Sequence, residues 1–465
     1  MLALTVDLLM RTAAILPKMP RARRASNAPR VDFTAKIVLM GPQGRREKGA
    51  RPMGADLYHR LSLAKRVNGA GLLTRLGGSL MEAETLEAMR EAAGAFVDIA
   101  ELQTRAGALI ARHTGTEAAI VTGGAAAALT LATAAAIARA DVALMERLPD
   151  TDGMANEVII HRAHRTGYDH AIRAAGARLV EIGLNDRGVG AGVRDLEAWE
   201  IEAAIGPKTA AIAYTASQDL RPSLGRVVAV ADRFKVPVIV DAAAQLPPKE
   251  NLRRFIEEGA ALVAFSGGKA IRGPQGTGIL CGREDLVASA LIQMLDLDIL
   301  PETWVPPEGL LARHFPDRFP HHGLGRGFKV DKESIVGLVV ALERFVACDL
   351  AAEIAARRKL LENIMRATTG LEHGRPHAIR DIDGRYPSLD IGIDIASLGS
   401  DAYAVSRALQ RHDPPVHLSE RRAWQGVLVI DSAGLREGDD EIIAAALRRV
   451  LGTKAKIRSG AKEKI

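Results

Sequence analysis

Lys269 stands in the stretch Ala264-Phe-Ser-Gly-Gly-Lys-Ala-Ile-Arg-Gly-Pro-Gln-Gly276, and Asp241 lies 28 residues before it. The apolar run Ala261-Leu-Val-Ala-Phe265 ends in a Ser-Gly-Gly turn, which sets the lysine on a glycine-rich loop. A second apolar run, Val236-Pro-Val-Ile-Val240, ends in Asp241. An amine on such a loop can form a Schiff base with a carbonyl, and a carboxylate can keep a pyridine nitrogen protonated. Two strands ending near each other in these groups fit a pyridoxal phosphate (PLP) site. The plainer alternative is a surface lysine and a helix-capping aspartate. The glycine turns shared by the two segments favour the cofactor.

Val121-Thr-Gly-Gly-Ala-Ala126 opens an alanine-rich run. Gly123, Gly124 and Ala125 would let the first backbone N–H groups of a helix approach a phosphate, which the helix dipole also favours. The competing reading is a tight strand-to-helix turn. His161-Arg-Ala-His-Arg165 follows another apolar run. His164 is the preferred candidate there for stacking on a pyridine ring or moving a proton, against a basic coat on a domain surface. In Gly325-Arg-Gly-Phe-Lys-Val-Asp-Lys-Glu333, Arg326 and Lys329 could clamp a substrate carboxylate or phosphate, while Asp331 to Glu333 read equally as a helix start. Arg75 belongs to the glycine-rich segment Asn68 to Ser79, whose polar residues either line a cleft, including one in a neighbouring subunit, or wrap the surface. His321-His322 has no matching carboxylate or cysteine spacing, so no metal site is expected.

The elements that must position these groups alternate along the chain. Strands are expected at 118–122, 158–160, 178–182, 209–214, 236–240 and 261–265. Helices are expected at 101–113, 125–138, 168–175, 193–205 and 227–234. Continuous apolar strands separated by helices predict a mainly parallel sheet covered on both faces. Ligands of such sheets bind beyond the strands' carboxyl ends, where Gly123, His161, Asp241 and Ser266 all fall. A helix over 330–345 is expected to lead into a smaller α/β domain, with extended runs at 388–393 and 427–430 and helices at 401–410 and 439–451.

The chain has 465 residues, 48% of them apolar, and a formal charge of +6. Residues 1–52 carry eleven Lys/Arg against three Asp/Glu, so the remainder stands at −2. The basic excess is therefore a property of a leader, and a folded body near neutrality argues against nucleic-acid capture. The division expected is a basic, disordered leader over 1–52 and a segment over 53–100 that wraps the large domain or a neighbouring subunit. A large domain over 101–329, a small domain over 330–452 and a basic tail over 453–465 follow. No apolar run is long enough to cross a membrane, and the start is a poor signal peptide. Cys281 and Cys348 make no framework, which predicts a cytoplasmic protein.

The motifs resemble those of fold-type I PLP enzymes, in the branch related to bacterial selenocysteine synthase. Ser266-Gly-Gly-Lys-Ala-Ile-Arg-Gly-Pro-Gln275 is similar to that family's Ser-Gly-Asp-Lys-Leu-Leu-Gly-Gly-Pro-Gln. Asn68-Gly-Ala-Gly, Leu76-Gly-Gly and Arg326 to Lys332 are similar to its Asn-Ala-x-Gly, Leu-Gly-Arg and Arg-x-x-Arg-Val-Asp-Lys. The resemblance spans roughly residues 55 to 452 and implies a fold-type I α/β architecture. It would comprise a seven-stranded, mainly parallel sheet with helices on both faces and a smaller C-terminal α/β domain. It implies Lys269 as the Schiff-base lysine, Asp241 as the ring-nitrogen partner, and Ser266 with Gly123 and Gly124 around the phosphate. Ala125, Ala243 and His164 complete the expected cofactor pocket, and Arg75, Arg326 and Lys329 the expected substrate contacts.

The departures are informative. The selenium-donor site of the selenocysteine branch uses the arginine of Leu-Gly-Arg and both arginines of the later motif. This chain has Gly78, Arg326 and Lys329 there, and a lysine cannot form a bidentate fork. The pattern is closer to the sub-branch of D-glucosaminate-6-phosphate ammonia-lyase, which implies α,β-elimination. The expectation is a PLP lyase that converts a small β-hydroxy amino acid, phosphorylated amino sugar acids included, to a 2-oxo acid and ammonia. It would work as a homodimer or higher homo-oligomer. The alternatives are selenium transfer to seryl-tRNA, transamination or racemisation, and a catalytically silent binding protein.

Overall fold

The computed structural model describes residues 57–184, 196–217, 222–382 and 384–452. The expected leader 1–52 and tail 453–465 lie outside the described residues, as does the start of the helix expected over 193–205. The chain divides into two compact units, Met1–Leu61 and Ser62–Ile465. Of the first, the described part is a single helical turn, Leu57–Arg60. All that follows concerns the second.

Among the described residues, twelve strands run in chain order as β1 (Val67–Gly69), β2 (Ala118–Thr122), β3 (Glu157–His161), β4 (Arg178–Ile182), β5 (Thr209–Thr215) and β6 (Val238–Asp241). They continue as β7 (Leu262–Ser266), β8 (Gly278–Gly282), β9 (Gly374–Arg380), β10 (Ser388–Ile393), β11 (Val416–Leu418) and β12 (Val427–Asp431). Seven of them form one sheet in the order β2-β8-β7-β6-β5-β3-β4. Every neighbouring pair from β7 to β4 is parallel, and only β8 runs against its two neighbours.

Alternation along the strands sorts their side chains into two cores. Ile120, Val158, Ile160, Ala211, Ala213, Leu262 and Ala264 face one side. Val121, Ile159, Ile212, Tyr214, Val240, Val263 and Phe265 face the other. The helix Ala125–Ala138 lies across the first face, against β2, β5, β6, β7 and β8. Its small side chains let it sit low on the sheet, and all but its first two residues are buried. The second face is covered by the helices Ile99–Thr114, Leu224–Arg233 and Lys332–Ala347. Each fully buried Leu, Ile or Phe in these layers contributes about 1.5–3 kcal/mol.

At the sheet edge, no strand among the described residues lies beyond β2, and a side chain takes the place of one. Gln103 Nε2 donates to the Val121 carbonyl at 2.9 Å, and its Oε1 accepts the Val121 N–H at 3.1 Å. The helix carrying Gln103 can come this close because Gly107 faces β2, where an added Cβ would lie 2.0 Å from the Ala119 carbonyl oxygen.

The small domain has its own core, built from the antiparallel sheet β12-β10-β9 and the helices Leu350–Ala367, Ala402–Gln410 and Asp439–Leu451. β1 joins it by pairing in parallel with β11. The N-terminal stretch of this unit is thereby anchored to the small domain before it passes to the large one.

Candidate functional site

Three strand ends build the site. Asp241 is the last residue of β6 and pairs with Ala264 of β7 on one side and Thr215 of β5 on the other. β7 ends at Ser266, and the next turn carries Lys269. Asp241 Oδ1 accepts the Ala243 N–H at 3.0 Å. Burial raises the carboxyl of Asp241 above its ordinary range, against the pull of the Ala243 N–H and the Lys269 charge. Burial lowers the ammonium of Lys269 below its ordinary value, against the pull of Asp241. The two groups thus sense each other in one desolvated place.

The glycines before Lys269 are required by close packing. The loop doubles back so that Gly267 N donates to the Thr277 carbonyl at 2.9 Å, and Gly273 N to the Gly267 carbonyl at 2.8 Å. A Cβ on Gly268 would lie 2.4 Å from Gln275 Cα. The aspartate found here in the selenocysteine branch has no room in this chain. Gly78 packs on the same loop with φ +73°, and a Cβ there would lie 2.7 Å from the Gly268 carbonyl oxygen. Ser79 secures the contact, donating to that oxygen through its N–H at 3.1 Å and its hydroxyl at 3.0 Å. The missing arginine of Leu-Gly-Arg is therefore a steric matter as well as a substitution.

Beside this loop, Ser266 pairs with Gly278 of β8. A Cβ on Gly278 would lie 2.5 Å from Gly124 C and 2.6 Å from Ala125 N, so the strand backbone lies directly against the glycine turn. Gly124, at φ +110°, caps the helix Ala125–Ala138 without any side-chain hydrogen bond to the first-turn N–H groups. A helix start left uncapped by side chains is the kind that receives a phosphate.

His164 follows β3 in the short 3-10 turn Arg162–His164. Its ring is buried and stands edge-on to Tyr214, with centroids 4.6 Å apart, and to His161 at 5.3 Å. Thr215 Oγ1 donates to the His164 carbonyl at 2.9 Å, so the residue opposite Asp241 on β5 also fixes the histidine turn.

Gly123, Gly124 and Ala125 follow β2, His164 follows β3, Asp241 ends β6 with Ala243 just beyond, and Ser266 ends β7 with Lys269 just beyond, so all eight lie at the carboxyl ends of the sheet's strands. The three substrate candidates do not all join them. Arg326 is ion-paired with Asp296. Lys329 is exposed and directly follows Phe328, whose carbonyl oxygen would lie 3.0 Å from a Cβ on Gly123. Arg75 lines a different cavity, with Arg66, Arg407 and His417.

Four contributors carry no motif in the sequence. Tyr214 is visible there only as the end of an expected strand, and Thr215 lies just beyond it. Arg272, at φ +59°, joins Glu82 at 2.6 Å and also pairs with Glu353, tying the lysine loop to two helices. Arg385 reaches from the small domain to the loop after Asp241, donating to Gln245 Oε1 at 2.8 Å, while its buried Nε makes no hydrogen bond. Gln245 in turn donates to the Ala216 carbonyl at 2.6 Å. A lone arginine in an irregular segment gives no periodic signal that could have flagged it.

These residues fit PLP. The open helix start suits its phosphate, the buried carboxylate its ring nitrogen, and the depressed lysine its aldehyde. Among the described residues, no group of three His, Cys, Asp or Glu side chains gathers as metal ligands would, and no helix is long and apolar enough to cross a membrane.

Comparison with known proteins agrees with this geometry. A family model described as aminotransferase class-V matches residues 95–294. D-glucosaminate-6-phosphate ammonia lyase of Salmonella typhimurium is 32% identical over 408 residues, spanning 86% of this chain and 98% of that protein. A 5'-C-glycyluridine monooxygenase-decarboxylase of a Streptomyces species is 29% identical, over 88% of this chain and 95% of that protein. An L-seryl-tRNA(Sec) selenium transferase of Desulfovibrio desulfuricans is 24% identical, over 86% and 84%. A solved structure of D-glucosaminate-6-phosphate ammonia-lyase superposes with a TM-score of 0.70 at 30% identity, covering 86% of this chain and 99% of that one.

Proposed function

This chain belongs to the aminotransferase class-V family of fold-type I PLP-dependent enzymes, and on that footing we propose that it is an ammonia-lyase. Its substrate is a small β-hydroxy amino acid, phosphorylated amino sugar acids included, and its products are a 2-oxo acid and ammonia. The observation that carries this reading is the desolvated pairing of Lys269 with Asp241 at adjacent strand ends. The near full-length similarity to an ammonia lyase supports the choice among PLP reactions.

Bound PLP supplies an electron sink for the bonds at the substrate's Cα. The protein's part is to hold that sink and to move protons. The N–H groups at the start of the helix Ala125–Ala138, with Gly123, Gly124 and Ser266, bind the phosphate. Asp241 keeps the ring nitrogen protonated, and His164 flanks the ring. Lys269 Nζ would hold the cofactor through its aldehyde and would be free as an amine once substrate is bound. The freed amine, its proton affinity lowered by burial, removes the Cα proton as general base. The Cα–H electron pair would become a Cα–Cβ double bond as the β-hydroxyl leaves with the proton that Lys269 has taken up, departing as water. Water then returns to hydrolyse the released enamine, so the net loss is ammonia alone.

Selenium transfer to seryl-tRNA is the second reading, since selenium transferases are among the relatives. The crowding at Gly78 and Gly268 and the charge of −2 beyond residue 52 stand against it. Incubating purified PLP-loaded protein with β-hydroxy and phosphorylated amino acids, with and without oxygen, tests the proposal. The lyase reading expects equal amounts of 2-oxo acid and ammonia, independent of oxygen. Turnover only with an amino acceptor, only with oxygen, or only with seryl-tRNA and a selenium donor would overturn it.

A further inference from the structure

A second site lies on the seam between the N-terminal stretch of the unit and the small domain. It is a cavity of about 540 Å³ lined by Arg66, Arg75, Arg407, Gln410, Arg411 and His417. The pairing of β1 with β11 creates it by setting Asn68 opposite His417. Arg66, just before β1, comes within 3.4 Å of His417 Nε2 through its Nη1. The 3-10 turn Thr74–Leu76 brings in Arg75. The helix Ala402–Gln410 and its cap supply Arg407 and Arg411, four residues apart and so on one helix face.

The charge of this cavity is not balanced from within. Among the described residues, none of the four arginines has a carboxylate at ion-pairing distance. The nearby Glu420 is held by Ser406 Oγ at 2.5 Å and Gln410 Nε2 at 3.1 Å. His417, at 5% exposure, is kept below its ordinary pKa first by burial and then by Arg66 and Arg75, against the pull of Glu420. Elsewhere in the unit, arginines are widely paired, as Arg165 is with Asp169 and Arg272 with Glu353. A protein whose body beyond residue 52 stands at −2 has here gathered four like charges. All four are exposed, so an incoming anion reaches them without displacing a protein partner.

We propose that this cavity binds a phosphoryl dianion. Guanidinium forks match the oxygens of a phosphate and can share them from several sides. The location gives the site a use. Arg75 lies three residues before Gly78, which packs on the Lys269 loop, so the cavity is a short length of chain from the chemistry. The dianion is either the distal phosphate of the substrate or a free phosphate. The first source rests on the lyase reading, whereas phosphate binding itself does not.

The test is calorimetric titration of inorganic phosphate into the PLP-loaded full-length protein at constant ionic strength, so that the cofactor's own phosphate site is already filled. Saturable binding is expected, and Arg407→Gln/Arg411→Gln should weaken it by about tenfold or more, with the visible absorbance of the cofactor unchanged. Arg75→Gln attacks the cavity from its other wall and should weaken binding in the same direction. Phosphate that competes with a phosphorylated substrate identifies the substrate as the source, and non-competing phosphate identifies a free anion. Absent saturation, or equal Kd values in wild type and both variants, would overturn the proposal. So would a double variant that alters subunit association but leaves phosphate binding intact, because the arginines would then serve a protein contact.

Discussion

Asp241 and Lys269 stand at the ends of neighbouring parallel strands, and burial moves their proton affinities toward one another, the carboxyl upward and the ammonium downward. In the cofactor-free fold, burial therefore disfavours the charged form of each group. A carboxyl whose pKa is raised on folding favours the native state at low pH, and that contribution is lost as pH rises through the folded value. An ammonium whose pKa is lowered favours the native state above the ordinary lysine value and loses that contribution as pH falls through the depressed one. Near neutrality both oppose the cofactor-free fold.

Asp241→Asn should accordingly melt at or above wild type in the cofactor-free form near neutral pH, with the gap closing as pH falls. The same variant, loaded with PLP, should lose about a hundredfold or more in rate, because the ring nitrogen no longer stays protonated. Differential scanning of both forms and steady-state kinetics read the two effects separately. A cofactor-free variant less stable than wild type, or one that turns over normally, would contradict the assignment.

Gly268→Asp, which restores the side chain of the selenocysteine branch, should destabilise this chain by about 1–3 kcal/mol through overpacking against Gln275. Urea unfolding measures it. Unchanged stability would mean that the lysine loop yields freely and that the steric account of Gly78 and Gly268 is wrong.

Arg272 separates backbone strain from charge. Its φ of +59° is costly for any residue but glycine, by about 1–2 kcal/mol. Arg272→Gly relieves that cost while losing Glu82 and Glu353, and Arg272→Ala loses both partners with no relief. The alanine variant should be the less stable by about 1 kcal/mol. Equal stabilities of the two would refute this division.

Arg385→Gln tests whether the guanidinium beside Gln245 meets a substrate anion. KM for the amino acid should rise about tenfold with kcat and the cofactor spectrum nearly unchanged. A fall in kcat at constant KM would place the residue in a structural role instead.

Much of this architecture was written in short-range patterns. Ala118–Thr122 and Arg178–Ile182 are strands with the expected bounds, and Ala125–Ala138 is a helix with the expected bounds, because apolar runs and glycine stops act within a few residues. β8 escaped notice because Gly278-Ile-Leu-Cys-Gly282 is short and begins and ends in glycine, a residue depleted in strands. Its glycines are demanded by distant neighbours, Gly124 at one end and Ala261 at the other. β1 and β11 are three residues each and are defined only by one another. The candidate site divides in the same way. Lys269, Asp241 and the glycine turn announce themselves by type and position, whereas Thr215, Arg272, Arg385 and the arginine cavity exist only once remote segments meet.

The most direct measurement is borohydride reduction of the PLP-loaded protein followed by peptide mapping. The account predicts a single pyridoxyl label on Lys269, and loss of both the label and the visible absorbance band in Lys269→Ala. A label on another lysine, or a band that survives the substitution, would contradict it.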